Sequence, residues 1–174
     1  RQLRAAGFAV MFTRSSDKFI DLDDRPAIAR KNGADLFISL HFNATAVARN
    51  EVRGSEVYCL TPVGASSTNS KGVGGDAGAQ PGNRCNQQNI QLAYAIQKSL
   101  IGELCAEDRG VRRARFAVLR DAVMPAVLIE AGFMSHPVEG RKIFDPTYRK
   151  AMARATSPRV APGRTAAMPA IMAS

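Results

Sequence analysis

Two polar side chains end apolar runs in this sequence, and both are residue types that carry out chemistry at strand ends. His41 ends the run DLFISLH, and histidine is the commonest protein ligand for zinc. Glu130 ends PAVLIE. A carboxylate that follows five apolar residues loses hydration, which raises its pKa toward the range of a general acid or base. The ordinary alternatives are a surface or hydrogen-bonded histidine, and a buried salt bridge or turn cap for the glutamate.

The other candidate polar groups favour structural roles. His136 precedes Pro137 and is interpreted as a loop residue or helix cap, with metal binding as the lesser alternative. Arg14, Asp17 and Arg25 are interpreted as a scaffold for the turn between a strand and a helix. The basic stretch 109–120 could line a groove for an anionic substrate, but a solvated face is the favoured interpretation.

Strand and helix patterns alternate along the chain, which predicts a layered α/β domain with a mainly parallel sheet. In such sheets active sites collect at the carboxyl ends of the strands, where His41 and Glu130 lie. The predicted strands are 8–13, 35–42, 55–60, 116–119 and 125–130. The predicted helices are 22–32, with Leu22, Ile28 and Ala29 on its buried face, and 86–104, 138–144 and 146–153.

The ends of the chain and one internal segment lack a periodic pattern. Residues 61–85 are rich in Gly, Ser, Ala and Asn and are predicted to be a long loop. Residues 1–6 resemble the end of a helix capped by Gly7, so we expect part of the domain to precede Arg1. Residues 154–174 are rich in Pro and Ala and are expected to form a disordered or aberrant tail to a domain of residues 1–153.

Bulk composition limits the partners. The net charge of +9 suits an acidic partner, which could be nucleic acid, an anionic membrane or an anionic wall polymer. The ordinary alternative is that part of the excess lies in the tail, with Arg154, Arg159 and Arg164. With 6% aromatic residues and no Trp, the chain offers no stacking platform for nucleic acid bases, and no apolar run is long enough to span a membrane. The three cysteines lack metal-binding spacing; Cys59 and Cys105 are expected to be buried free thiols, and the state of Cys85 stays open.

Five sequence blocks together resemble the zinc-dependent cell-wall amidases, the N-acetylmuramoyl-L-alanine amidases, over residues 1–153. They occur in the family's order: TR with downstream Asp17 and Arg25, then ADLFISLHFNA, GSEVYCL, FAVLR and PAVLIEAGFMSHP. The resemblance implies a three-layer α/β fold and one catalytic zinc held by two histidines and one glutamate. It implies that His41 is a zinc ligand and that Glu130 is the catalytic carboxylate, and it gives no substrate-binding residue.

Several departures from the family pattern affect what the resemblance implies. The family's first histidine ligand and its glutamate ligand belong to blocks that would precede Arg1 and that do not occur in this sequence. Because a catalytic zinc normally needs three protein ligands, we expect this chain to be inactive by itself. Phe42 stands where the family usually has a small residue, and His136 where it usually has Asn. Residues 61–85 are too rich in glycine to predict the site-blocking helix that some relatives carry.

The expected function is therefore hydrolysis of the amide bond between N-acetylmuramic acid and L-alanine in peptidoglycan, with Glu130 as general base to a zinc-activated water. The alternatives are a zinc peptidase on wall peptides and a non-catalytic peptidoglycan-binding module. The resemblance also implies a periplasmic or cell-wall location and protein activators as partners.

Overall fold

The computed structural model describes residues 2–69, 78–157 and, for the backbone alone, 170–173. A six-stranded sheet forms the middle layer, in the order β1-β6-β2-β5-β3-β4. All neighbouring strands are parallel except β3 and β5, which are antiparallel. The strands are β1 (Ala9–Phe12), β2 (Leu36–Asn43), β3 (Ser55–Leu60), β4 (Asp108–Ala114), β5 (Ala126–Phe133) and β6 (Ala170–Ala173).

Helices cover both faces of the sheet, which confirms the predicted three-layer α/β fold. The helices are α1 (Gln2–Ala5), α2 (Asp24–Lys31), α3 (Asn86–Leu104), α4 (Ala117–Arg120), α5 (Pro137–Phe144) and α6 (Pro146–Ala155), with a short 3₁₀ helix at Pro81–Cys85. No helix in the described ranges is long and apolar enough to cross a membrane.

The alternation of side chains along β5 builds two separate cores. Val127 and Ile129 point to one face, where they pack with residues of α3 and α6 such as Ile96 and Met152. Leu128 points to the other face, where the core includes residues of α2 and α4. Glu130 has the same parity as Leu128, so its side chain belongs to the α2 and α4 face of the sheet.

The long amphipathic helix and the buried strands were predicted well. Helix α3 has the predicted bounds, because its apolar side chains recur at helical spacing over nineteen residues. Helix α2 is shorter than predicted: it begins at Asp24, and Leu22 lies before it and is 45% exposed. The side chains that α2 buries are those of Arg25, Pro26 and Ala29.

Two predictions between residues 108 and 120 were wrong. Residues 116–119 are not a strand: Phe116 is extended and Ala117–Arg120 forms a helical turn, in which the amides of Leu119 and Arg120 donate to the Phe116 carbonyl. A short apolar run does not distinguish a buried turn from a strand. The strand lies earlier, at Asp108–Ala114, where the basic residues were interpreted as a solvated face.

The segments without periodic pattern are described only in part. Residues 61–69 and 78–80 of the predicted loop hold no helix, and residues 70–77 lie outside the described residues. The end of the predicted loop, Pro81–Cys85, is a 3₁₀ helix instead. In the predicted tail, α6 continues to Ala155, and Ala170–Ala173 forms a strand between β1 and β2 instead of lacking structure. Residues 158–169 lie outside the described residues, so the boundary at residue 153 stays a prediction.

Candidate active site

The two residues that the sequence singled out lie side by side on neighbouring strands. His41 on β2 and Glu130 on β5 are direct partners in the parallel ladder. Directly paired residues on neighbouring strands point to the same face of a sheet, so the imidazole and the carboxylate share one face near the carboxyl ends of both strands. Here the structure agrees with the predicted juxtaposition.

His41 is held as a neutral ring. Burial lowers the pKa of His41, and the positive charges of Arg25 and then Arg14 lower it further. The Nε2 atom lies 2.7 Å from the hydroxyl oxygen of Ser39, two residues back on the same face of β2. A neutral imidazole is the form that accepts a proton or binds a metal ion.

The two arginines near His41 have the scaffold contacts that the sequence indicated. Arg25 is 6% exposed, and its Nε donates to the carbonyl of Ile20 at 3.2 Å. Arg14 donates from a terminal nitrogen to the carbonyl of Lys18 at 3.0 Å. Both hydrogen bonds hold the segment that connects β1 to α2. The two guanidinium groups are thereby kept near enough to His41 to lower its pKa.

Glu130 is a desolvated carboxylate on a strand whose other seven residues are all buried. Its Oε2 atom is buried and has no hydrogen-bond partner among the residues that the structure describes. Burial, and secondly the charge of Glu56, raise the pKa of Glu130 to about 7. A carboxylate that exchanges its proton near neutral pH is suited to general acid and base catalysis.

Glu56 completes a row of three side chains, although its place in the sequence did not mark it as a site residue. It lies on β3 directly opposite Glu130 in the antiparallel ladder, so His41, Glu130 and Glu56 are adjacent on three successive strands. Its side chain is 2% exposed. The only signal in the sequence was a carboxylate inside the strand pattern SEVYCL, which a solvent-facing position explains equally well.

Four groups surround the Glu56 carboxylate. Oε1 accepts from the Tyr58 hydroxyl at 2.9 Å and from Asn43 Nδ2 at 3.2 Å. Oε2 accepts from Arg109 Nε at 2.9 Å, and Arg112 Nε lies 2.7 Å away as an ion pair without hydrogen-bond alignment. Burial, followed by the charge of Glu56 and the hydrogen bond to it, raises the pKa of Tyr58, so this phenol stays protonated. Glu56 is therefore a satisfied anion beside an unsatisfied one.

His136 caps a helix, as one of its two interpretations predicted. Its Nδ1 accepts from the backbone amides of Val138 and Glu139 at 3.3 and 3.2 Å, which satisfies the first turn of α5. His136 also lines a cleft of about 410 Å³ with Glu139 and Tyr148, and neither His41 nor Glu130 is among the residues that line this cleft.

The cysteines are free thiols in different surroundings. Cys59 is buried, Cys85 is half-buried and Cys105 is exposed, so the expectation of a buried thiol was wrong for Cys105. Cys105 is the C-cap of α3, in a left-handed conformation with φ at 48°.

The described residues do not form a complete zinc site. Residues 2–69 and 78–157 bring together no group of three His, Cys, Asp or Glu side chains able to hold a metal ion. His41 and Glu130 supply one imidazole and one adjacent carboxylate, whereas a catalytic zinc normally has three protein ligands. The side chains described here therefore do not fit a catalytic zinc by themselves.

The fold and the row at the strand ends define a class: α/β domains with an imidazole and a desolvated carboxylate side by side at the strand ends. A family model described as N-acetylmuramoyl-L-alanine amidase matches residues 1–160. The chain belongs to this amidase family.

Relatives and solved structures agree with this family. The chain is 33% identical to amidase AmiC of Neisseria meningitidis, over 88% of this chain and 41% of that protein. It is 30% identical to AmiA of Escherichia coli, over 88% of this chain and 60% of that protein. The crystal structure of an amidase from Clostridium difficile 630 superposes with a TM-score of 0.71 at 27% identity, covering 90% of this chain and 74% of the other. The chain spans less than two thirds of the length of these two curated relatives.

Proposed function

We propose that the protein to which this chain belongs hydrolyses the amide bond between N-acetylmuramic acid and L-alanine in peptidoglycan. The observation that carries the proposal is the buried, unpartnered Oε2 of Glu130, directly beside His41 at the strand ends. The names of the matched family and relatives supply the substrate class.

Glu130 is assigned the proton transfers of this reaction. Its carboxylate takes a proton from the water whose oxygen attacks the lactyl carbonyl carbon. It then returns a proton to the alanine nitrogen as the carbon–nitrogen bond breaks, so the carboxylate is regenerated. A pKa raised to about 7 supports both steps, because acceptance and return of the proton are then nearly balanced at neutral pH.

Zinc dependence is part of the proposal because the family resemblance implies it. A neutral imidazole at His41 supports a ligand role for that residue. Two further ligands beyond those that the described residues bring together would be needed.

The cell wall, in the periplasm or outside the cell, is the location that follows from this substrate. The net charge of +9 supports contact with an anionic wall polymer. Protein activators stay an expectation from the family resemblance.

Product analysis of digested peptidoglycan tests the proposal. This chain, and the longest form of the protein that contains it, are incubated with purified peptidoglycan with and without added zinc. We expect the longest form with zinc to release intact stem peptides with a free L-alanine amino group. We expect E130Q in that form to lower the rate by about 10² to 10⁴. The matched control is E51Q, because Glu51 is exposed and lies outside the row of His41, Glu130 and Glu56.

Other products would contradict the proposal in distinguishable ways. Shortened stem peptides or free D-alanine would indicate a peptidase. Sedimentation with insoluble peptidoglycan without any product, in every form tested, would indicate a binding module. An unchanged rate for E130Q would show that Glu130 is not the catalytic carboxylate.

A further inference from the structure

Arg109 and Arg112 carry more positive charge than their buried partner neutralises. Both guanidinium groups contact the same oxygen of Glu56, at 2.9 and 2.7 Å. One carboxylate balances one of the two arginines, so this arginine pair keeps a net charge of +1. The pair lies on β4, which is next to β3, and β3 is next to β5, the strand that carries Glu130.

The arginine pair presents its outer nitrogens to solvent. The Arg112 side chain is 30% exposed and that of Arg109 is 24% exposed. Each reaches Glu56 through Nε, and the terminal nitrogens of Arg112 have no hydrogen-bond partner in the described part of the chain. Strand β4 is at the edge of the sheet, so no neighbouring strand covers this side.

Contacts with fixed groups hold the arginine pair in place. The Arg109 guanidinium lies over the ring of Phe133, 5.0 Å from its centroid, and a terminal nitrogen donates to the carbonyl of Arg53 at 3.4 Å. Glu56 itself is anchored by Tyr58 and Asn43. A preorganised guanidinium loses little entropy when it binds a carboxylate through two parallel hydrogen bonds.

We propose that the arginine pair binds a carboxylate of the wall peptide, on the residue that follows L-alanine. This inference rests on the proposed function for the identity of the ligand. Neighbouring strands lie about 4.8 Å apart, so the arginine pair is roughly 10 Å from Glu130, two strands away. Two extended residues span about 7 Å, which brings a carboxylate on the second residue within reach of long arginine side chains.

A structural role for both arginines is the competing explanation. Neutralising Glu56 requires a single cation, and Arg109 already supplies it with an aligned hydrogen bond. Arg112 adds a second cation, whose Nε is buried without aligned hydrogen bonding. The next carboxylate in the row, Glu130, does not pair with Arg112, because its buried Oε2 has no hydrogen-bond partner in the described chain. The second charge is therefore open to an anionic ligand.

Two ligands that differ only in one charge test the inference by binding. The probes are muramoyl-L-alanyl-D-glutamate γ-methylamide, which keeps only the α-carboxylate, and its α-amide, muramoyl-L-alanyl-D-isoglutamine γ-methylamide, which keeps neither carboxylate. Each is titrated calorimetrically into this chain at low temperature. We expect the free acid to bind about tenfold more tightly than the amide, because charge-assisted hydrogen bonds are the stronger ones. In R112Q the preference is expected to fall to about one, and in R112K to be partly retained.

Arg113 offers a matched control on the same strand. It is exposed and adjacent to Arg112, so it points to the opposite face of β4. R113Q removes the same charge and is expected to keep the tenfold preference. Circular dichroism verifies that each variant is folded, and Arg109 still neutralises Glu56 in both Arg112 variants.

Three outcomes would overturn the inference: equal binding of acid and amide by the wild-type chain, equal loss of preference in R112Q and R113Q, or no binding of the free acid. The first and third reject a carboxylate site, and the second reduces the effect to general electrostatics. Failure of the proposed function is a separate result: the preference for the acid would persist while no form of the protein releases stem peptides.

Discussion

Glu56 and Glu130 face each other directly in the antiparallel pair of β3 and β5, and only one of them has its charge satisfied. Glu56 has two arginines, a phenol and an amide around its carboxylate. Glu130 has a buried oxygen without a partner in the described chain. Since both side chains lie on one face, the satisfied anion makes ionisation of its neighbour harder. The sheet thereby gives two adjacent glutamates different roles.

The raised pKa of Glu130 predicts an unusual dependence of stability on pH. The pKa rises from 4.5 to about 7, first through burial and then through Glu56. Between pH 4.5 and about 7, Glu130 is protonated in the folded protein but ionised in the unfolded chain. The stability that this bound proton contributes is therefore complete below pH 4.5 and is lost as the pH rises toward 7. Discounted for partial exposure, the loss is about 1 kcal/mol, or roughly 2–4 °C in Tm.

Thermal unfolding of E130Q at pH 5 and pH 8 measures this effect. The amide introduced by E130Q does not ionise, so the wild-type protein should lose more stability than the variant from pH 5 to pH 8. At pH 8, E130Q should be the more stable of the two proteins. E51Q, which removes an exposed carboxylate, serves as control. Parallel pH profiles for wild type and E130Q would contradict the prediction.

Removal of the Glu56 charge should destabilise the fold. E56Q leaves Arg109 and Arg112 adjacent without their anion, and breaking such a buried arrangement costs about 2–4 kcal/mol. Relief of the repulsion with Glu130 offsets part of this cost. Urea unfolding measures the change, with E107Q as control because the Glu107–Arg53 pair is more than half exposed on both sides. A loss no larger than that of E107Q would show that Glu56 is dispensable.

The sequence pattern predicted the elements whose structure depends on residues close together in the chain, such as α3 and β5. Helix α3 has one apolar stripe over nineteen residues, and β5 is an almost continuous apolar run, as a strand buried on both faces must be. His41 and Glu130 followed from these strands, because the ends of parallel strands meet at one edge of the sheet.

Glu56 and β4 could not be predicted in the same way, since they depend on each other. Residues 109–112 are basic and interrupted by Gly110, which favours a solvated loop when they are considered alone. They form a strand because β3 supplies hydrogen bonds on one side. Glu56, which is more than fifty residues away in the sequence, also neutralises the charge of one of the arginines. The short helix α4 likewise depends on the core that Val118 and Leu119 enter.

Two glycines should respond in opposite directions to alanine. A Cβ on Gly82 would overlap the carbonyl oxygen of Leu119 and lie 2.9 Å from Leu60 Cδ2, and backbone cannot give way easily. Gly102 lies inside α3 with nothing within 4 Å of a Cβ. We expect G82A to lose about 1–3 kcal/mol by overpacking and G102A to gain about 0.5–1 kcal/mol by helix propensity. Chemical denaturation of the two variants, each the control for the other, measures both; a neutral G82A would mean that the Gly82 turn is loosely packed.

Zinc affinity follows from the number of ligands that the chain brings together. His41 and the adjacent Glu130 are an incomplete set, and the described residues hold no group of three. Because a catalytic site normally uses three protein ligands, this chain should lose zinc to a chromophoric chelator that a complete amidase site resists. H41A should weaken the remaining affinity by a further tenfold or more, in line with the loss of a ligand.

His136 provides the control, since its Nδ1 is engaged in capping α5, and H136N keeps a good capping side chain. Stoichiometric zinc that survives the chelator and is released in H41A would show that His41 belongs to a complete ligand set in this chain. Release in H136N instead would move the metal site to the cleft beside α5.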